Sequence, residues 1–253
     1  MFALTLDRLG HPFDSGEALH VRFGALDVRV SRQEGEWHVA HAYSREEDED
    51  ETSDQADQPG TPKSARWVAG EGDSTARLLP AMPDRPVVVR PEFPVNLPGG
   101  MAMTLFVGVP LWLAIEAEGA RLIDLPSVRL SNTWFGTPVE GALCYAMRTR
   151  ALRRPEALSR RLHRAICTVE IQNTATAPLT FSRLCLPTEQ LTLFKGRDRL
   201  WTNAIRMHHR GEDEWGRLVH AESPPDQAGP TDLLTPPRAP LARGLFMRQF
   251  ARN

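Results

Sequence analysis

Apolar and polar residues alternate with a period of two along much of the chain, which is the pattern of β-strands with one buried face. The longest such run extends from Thr104 to Glu116 and places six apolar side chains on one face. Those six are Leu105, Val107, Val109, Leu111, Leu113 and Ile115. Because Pro110 lacks an N–H, we expect the strand to be interrupted there or to lie at a sheet edge.

Shorter alternating segments predict further strands on both sides of this run. Residues 20–30 and 37–41 predict one hairpin, and a slip in the alternation near Gly24 suggests a β-bulge. Residues 165–172 and 179–186 predict another strand pair. The 21 prolines and 18 glycines recur between the runs, which favours turns over long helices. We therefore expect an all-β or mostly β fold, as an antiparallel β-sandwich or distorted barrel.

Two segments of the sequence predict helices. Arg154-Pro155-Glu156 supplies a proline and an acid at a helix start, leading into residues 157–165. Near the C-terminus, Leu245, Phe246 and Phe250 lie on one arc of a helical wheel. The fold should therefore contain one short helix and a C-terminal helical segment.

Composition divides the chain into five regions. Six consecutive carboxylates, Glu46 to Glu51, repel one another and leave nothing apolar to bury, so this part should be a disordered loop. Prolines recur from Ser223 to Pro240, as in a semi-rigid linker. The expected regions are an N-terminal β-hairpin region joined to the main sandwich (1–44), a disordered acidic loop (45–66), the main β-sandwich (67–222), a Pro-rich linker (223–240) and a C-terminal docking segment (241–253).

The stretch from residue 132 to residue 145 combines turn residues with aromatic side chains, as binding loops on β scaffolds do. Its candidate binding residues are Asn132, Trp134, Phe135, Glu140 and Tyr145. The alternative is that Trp134 and Phe135 close one end of the sandwich as part of its core.

A run of arginines lies on the predicted helix and its approach. The candidate basic surface is Arg153, Arg154, Arg160, Arg161 and Arg164. A solvated helix face paired with the acidic loop, a contact with anionic lipid or an acidic partner, and a nucleic-acid contact are the three interpretations. The net charge of −2 disfavours nucleic acid.

The C-terminal segment offers a second docking surface through Leu245, Phe246 and Phe250. Behind a proline linker, this apolar arc could dock on a protein partner, on a membrane surface, or back on its own domain. The sequence does not decide between docking in cis and in trans.

Motif searches give no catalytic residue, metal site or cofactor. A P-loop, a G-x-G-x-x-G and a G-x-S-x-G are all lacking, and the three cysteines form no C-x-x-C pair. His38 and His41 would point to opposite faces of a strand. The N-terminus does not resemble a signal peptide, and the apolar window 104–117 is shorter than a transmembrane helix. We therefore expect a cytoplasmic protein.

Three stretches of the sequence resemble a known family. They are Val109 to Leu113, Leu125 to Gly136, and Glu140 to Ala146, and they resemble bacterial members of the domain-of-unknown-function family numbered 432. The resemblance covers residues 1–220. It implies no catalytic residues. It does imply an accessory role at a membrane complex, such as a small mechanosensitive channel, and hence a position peripheral to the inner membrane.

The sequence thus favours a non-enzymatic binding or regulatory module of unknown specificity with a protein partner. The alternative function is a small-molecule-binding or enzymatic β-sandwich with its site around Asn132–Tyr145. A pocket lined by converging polar groups there would favour the alternative.

Overall fold

A computed structural model of the chain describes residues 4–14, 18–44, 62–68, 75–211, 217–240 and 250–251. Over these residues the regular structure is almost wholly β, which confirms the predicted class. The only helical elements there are four 3-10 turns of three residues each. They are Leu6–Arg8, Pro155–Ala157, Thr188–Gln190 and Asp226–Ala228.

The strands are short, as the frequent prolines and glycines predict. In chain order they are β1 (Pro12–Asp14), β2 (Leu19–Phe23), β3 (Leu26–Gln33), β4 (Glu36–Tyr43), β5 (Lys63–Val68), β6 (Thr75–Ala81), β7 (Val87–Pro91), β8 (Val95–Leu97), β9 (Ala102–Pro110), β10 (Trp112–Ala117), β11 (Ala120–Pro126), β12 (Ser131–Gly136), β13 (Gly141–Ala151), β14 (Arg164–Asn173), β15 (Leu179–Phe181), β16 (Arg183–Leu186), β17 (Leu193–Lys195), β18 (Leu200–Thr202), β19 (Ile205–His209), β20 (Arg217–His220), β21 (Asp232–Thr235) and β22 (Phe250–Ala251). The break between β9 and β10 confirms the predicted interruption at Pro110.

The chain forms two compact units. Unit 1 takes residues 1–81, 110–129 and 161–163. It contains two four-stranded antiparallel sheets, ordered β1-β6-β10-β11 and β2-β3-β4-β5. Alternate residues of β2, β3 and the start of β4 are buried, including Phe23 and Trp37, each only 1% exposed.

The slip in the alternation near Gly24 is a hairpin turn, and the prediction of a bulge there was wrong. β2 ends at Phe23 and β3 begins at Leu26, so residues 24 and 25 connect two paired strands. Gly24 has φ +65°, and a Cβ at this position would lie 2.9 Å from the carbonyl oxygen of Ser127. The turn therefore needs glycine both for its left-handed backbone and for the close approach.

Unit 2 takes residues 82–109, 130–160 and 164–253. Its sheets are a five-stranded one ordered β12-β13-β7-β16-β22, a seven-stranded one ordered β20-β19-β14-β18-β17-β21 with β9 also on β14, and the pair β15-β8. Three pairs are parallel: β13 with β7, β14 with β18, and β14 with β19. The expectation of a purely antiparallel fold was therefore wrong for this unit, and sandwich or barrel packing stays a prediction.

The strand pair predicted from residues 165–172 and 179–186 does not form. β14 is a strand as predicted, but β15 pairs with β8, and β16 pairs with β7. β14 pairs with β18, β19 and β9, and nearly every one of its residues is buried, so both of its faces are covered. Such an interior strand pairs with distant segments as readily as with the next one.

The helix predicted at residues 157–165 is also absent. Only the turn Pro155–Ala157 is helical, and β14 already begins at Arg164. Leu158 packs against a buried cluster of Phe106, Ile166, Trp201 and Ala228. Anchoring of this side chain and the extended path into β14 override the weak helix-start signal of the proline and the acid.

Two of the predicted regions also need correction. β5 pairs with β4, so residues 63–66 belong to a sheet and not to an acidic loop. The acidic run 46–51 lies outside the described residues. The Pro-rich segment is no free linker, because β21 pairs with β17 and the Ala239 N–H donates to the Glu189 carbonyl at 2.9 Å.

Residues 250–251 form a strand and not the predicted helix, whereas residues 241–249 lie outside the described range.

Candidate functional site

The hairpin of β12 and β13 carries four of the five predicted binding residues on its strands. Asn132 lies opposite Tyr145, and Trp134 lies opposite Leu143. The side chains of Asn132, Trp134, Leu143 and Tyr145 therefore share one face of the sheet. Trp134 is 49% exposed and Leu143 is 45% exposed. Phe135, one residue farther along β12, points to the other face.

Phe135 belongs to the core, as the alternative interpretation of the sequence held for this residue but not for Trp134. It is 3% exposed and packs with Val88, Cys144 and Cys185. The thiols of the two cysteines lie 3.7 Å apart, and both cysteines are free. Strand β7 separates their strands, which places their backbones too far apart for a disulfide without rearrangement. Trp134 is therefore available at the surface, whereas Phe135 is not.

Trp134 is held in one orientation by the turn that follows it. Its indole N–H donates to the carbonyl oxygen of Thr137 at 2.9 Å. The ring lies against Gly141, where an added Cβ would be 2.4 Å from the indole nitrogen. Because Gly141 has no side chain, the indole can pack directly against its backbone.

Glu140 lies in the turn between the two strands and not on their shared face. Its side chain is exposed, and its backbone N–H donates to the Thr137 hydroxyl at 2.9 Å. This hydrogen bond closes the turn that carries the Trp134 acceptor. We therefore find a structural contact for the Glu140 backbone.

A polar network lies beside Trp134 on the same face. The Tyr145 hydroxyl donates to Asp84 Oδ1 at 2.8 Å, and Arg85 Nη1 donates to Asn132 Oδ1 at 3.3 Å. The Arg85 guanidinium carbon stands 5.4 Å from the Tyr145 ring centroid, and its Nε lies 3.9 Å from Asp84 Oδ2. We call Arg85, Asn132, Trp134, Leu143 and Tyr145 together the hairpin face.

Sequence reasoning missed Asp84 and Arg85. They precede β7, which runs parallel to β13, and the Tyr145 N–H donates to the Pro86 carbonyl at 2.9 Å. A parallel pairing between segments about 60 residues apart leaves no local signal in the sequence. The Arg85 side chain is nevertheless the cation that fixes Asn132.

The Tyr145 hydroxyl stays protonated at neutral pH. Burial and the hydrogen bond to Asp84 raise its pKa to about 12. The group is therefore a hydrogen-bond donor with a fixed acceptor, Asp84.

The predicted basic surface is divided in the structure. Arg164 is only 8% exposed and donates from Nη1 to the Gly108 carbonyl at 3.1 Å, so it belongs to the core of unit 2. Arg160 pairs with Asp198 at 2.9 Å. Arg153 and Arg154 are exposed in unit 2, whereas Arg161 is exposed in unit 1. Because no helix forms here, the five arginines do not share a helix face, and the prediction of one was wrong.

The predicted docking segment is described only at its end. Phe250 pairs with Leu184 of β16, within the same chain. Leu245 and Phe246 lie outside the described residues. For Phe250 the structure therefore gives a backbone contact in cis.

A cavity of about 330 Å³ lies in unit 1. Apolar side chains form most of its wall and charged or polar ones the remainder. The lining residues are Leu4, Asp7, Arg8, His11, Pro12, Phe13, Leu19, Val21 and Leu78. None of the residues predicted from the sequence as a binding site contributes to it.

Across residues 4–14, 18–44, 62–68, 75–211, 217–240 and 250–251, no group of three or more His, Cys, Asp or Glu side chains could hold a metal ion. No helix in the same ranges is long and apolar enough to cross a membrane.

Comparison with known proteins places the chain in a family but assigns it no activity. No curated protein and no solved structure matches the sequence. A family described as a protein of unknown function, DUF432, matches residues 11–252, which is nearly the whole chain and confirms the resemblance seen in the sequence. The chain therefore belongs to the DUF432 family.

Proposed function

We propose that the chain is a non-enzymatic binding module that contacts another protein through the hairpin face. One observation carries the proposal: a half-exposed tryptophan, a tyrosine and an arginine lie side by side on one sheet face. Trp, Tyr and Arg are the residue types that dominate binding energy at protein interfaces. Leu143 adds an exposed apolar contact next to Trp134.

The hairpin face is also preorganised. Trp134 is fixed by Thr137 and Gly141, and Tyr145 is fixed by Asp84. Side chains that are already ordered lose little conformational entropy on binding, so more of the contact energy appears as affinity. Such a surface is suited to a single, specific partner.

Charge on this face favours a protein partner over a polyanion. The Arg85 cation has a carboxylate neighbour, Asp84, at 3.9 Å, so the two charges largely offset each other. Phosphate-rich ligands need an excess of cations. A mixed aromatic and polar protein surface matches the hairpin face better.

The partner that we propose to seek first is membrane-associated, as the family resemblance implies, with a small mechanosensitive channel as the leading candidate. In that case the module would act as a regulatory subunit, peripheral to the membrane. Full-length protein should capture the partner from detergent-solubilised membranes of the native host.

Two variants distinguish specific capture from non-specific adhesion. Trp134→Ala should weaken binding to the purified partner about 30-fold, as expected for a hot-spot residue contributing roughly 2 kcal/mol. Phe93→Ala removes an aromatic side chain that is 72% exposed elsewhere in unit 2, and should leave affinity unchanged. Equal affinity of both variants in a biolayer measurement would rule out the hairpin face as the contact.

Small-molecule binding is a second candidate function, and the cavity in unit 1 favours it. Its volume of about 330 Å³ and its apolar wall with Asp7, Arg8 and His11 suit a small amphipathic molecule. The fluorescent probe anilinonaphthalene sulfonate should bind at one site per chain. Leu19→Trp should fill the cavity and abolish this binding, whereas Leu233→Trp, in unit 2, should not. Probe binding that is unaffected by Leu19→Trp would exclude the cavity.

A further inference from the structure

The outer edge of the five-stranded sheet is formed by β12. This strand pairs with β13 along all six of its residues, without a register shift. On its other side, no strand of the described residues pairs with it. An uninterrupted strand edge of this kind is a template for a further strand.

Other edge strands carry devices that discourage such pairing. Of the described edge strands longer than three residues, β12 is the one with neither a charged side chain nor a proline. In sequence, the other edge strands contain Arg22 in β2, Lys63 and Arg66 in β5, Pro110 in β9, Arg121 and Asp124 in β11, Arg217 in β20, and Asp232 in β21. Strands β1, β8, β15 and β22 are only two or three residues long.

We propose that β12 pairs antiparallel with β12 of a second copy of this chain, across a two-fold axis at Thr133. An identical strand is the natural occupant, because two uncharged copies of Ser-Asn-Thr-Trp-Phe-Gly meet without like charges opposite each other. In this register Asn132 faces Trp134 of the second copy, and the exposed side chains of both strands stay on one face.

The pairing also gives the exposed indole a polar neighbour. Arg85 donates to Asn132 Oδ1 at 3.3 Å. Because Asn132 is opposite Trp134 of the second copy, Arg85 is brought close to that ring and can contact it through a cation–π interaction. The dimer then presents two hairpin faces on one continuous ten-stranded sheet.

The dimer is tested separately from the proposed partner binding, because its readout is the mass of the purified chain alone. A six-residue strand pairing is a small interface, so association should be concentration-dependent. In sedimentation experiments on the full-length chain, the mass should rise from 28.3 kDa toward twice that value as concentration increases. A constant monomer mass up to about 200 µM, well above the affinity of weak transient complexes, would overturn the proposal.

Asn132→Lys supplies β12 with the charge that other edges carry, and it should abolish the dimer. Leu233→Lys places the same charge at an exposed position on β21 and should leave the dimer intact. Both substitutions are at exposed sites, and unchanged circular dichroism would confirm folding. A dimer that survives Asn132→Lys would refute the proposed edge.

A cysteine pair tests the register. On mild oxidation, a mixture of Asn132→Cys and Trp134→Cys chains should form a disulfide between copies, because these positions are directly opposite. In either variant alone the two introduced cysteines are not directly opposite, so the yield of cross-linked dimer should be lower or zero. Failure of the mixture to cross-link would overturn the antiparallel pairing centred on Thr133.

Discussion

Gly141→Ala should destabilise the protein chiefly through the Trp134 indole. The added methyl group would lie 2.4 Å from the indole nitrogen and 2.5 Å from the neighbouring ring carbon, both well inside van der Waals contact. The ring must therefore move away from residue 141, and its hydrogen bond to Thr137 is lost. Overpacking and one lost hydrogen bond together should cost about 2 kcal/mol of unfolding free energy.

A double-mutant cycle separates the indole from the rest of the site. In a Trp134→Ala background the ring is absent, but the added methyl group would still lie 2.8 Å from the Thr137 carbonyl oxygen, so some strain remains. Replacing glycine also restricts the unfolded chain, which offsets part of the remaining strain. Gly141→Ala should then cost roughly 0–1 kcal/mol, giving a coupling energy of about 1–2 kcal/mol between the two sites.

The assay is urea unfolding of four chains, followed by circular dichroism and by tryptophan fluorescence. Coincident transitions would license two-state free energies. Gly108→Ala is the matched control, since it adds a methyl group to a strand glycine whose nearest neighbours lie at 3.7 and 3.8 Å. It should change stability little. If Gly141→Ala lowers the unfolding free energy equally with and without Trp134, the clash with the indole is refuted as the cause. The strain would then come from the Thr137 carbonyl.

Three further outcomes are expected. Burial lowers the pKa of His220 from 6.5, so its contribution to stability is complete above that value and is lost as pH falls; His220→Gln should reduce the loss of unfolding free energy between about pH 7.5 and 5.5. Burial raises the pKa of Glu189 from 4.5, so its contribution to stability is complete below that value and is lost as pH rises; Glu189→Gln should stabilise the protein near pH 7 but not near pH 4, as urea titrations at the two pH values would show. Cys144 and Cys185 should resist both a thiol reagent and mild oxidation until the protein unfolds, and rapid native-state disulfide formation would contradict their separation by β7.

Local patterns predicted many of the strands and the hairpin of β3 and β4, but not the long-range strand partners. The alternation from Thr104 to Glu116 identified β9 and β10, and Pro110 identified the break between them. The same reasoning paired neighbouring segments by default and so missed that β7 runs beside β13. No turn joins the two strands of this parallel pair, so the pairing leaves no short-range signal in the sequence.

The sequence predicted the part of the candidate site that lies on β12 and β13, but not the part contributed by distant residues. Period two alone places Asn132 and Trp134 on one face of a strand and Phe135 on the other, so the division between surface and core could be read from spacing. Asp84 and Arg85 could not, because they reach Tyr145 and Asn132 through a long-range pairing. The prediction of a helix at residues 157–165 was wrong because tertiary packing outweighed the helix-start signal of the proline and the acid.

Each unit is assembled from three separate stretches of chain, and this has a consequence for synthesis. Strand β6 lies between β1 and β10 in its sheet, yet β10 is made some thirty residues later, after β7, β8 and β9 of the other unit. During translation β6 therefore leaves the ribosome with one open edge, while strands destined for other sheets emerge behind it. Long-range pairing of this kind should slow folding. A break in the chain between residues 92 and 119 would divide the strands of both units between the two fragments.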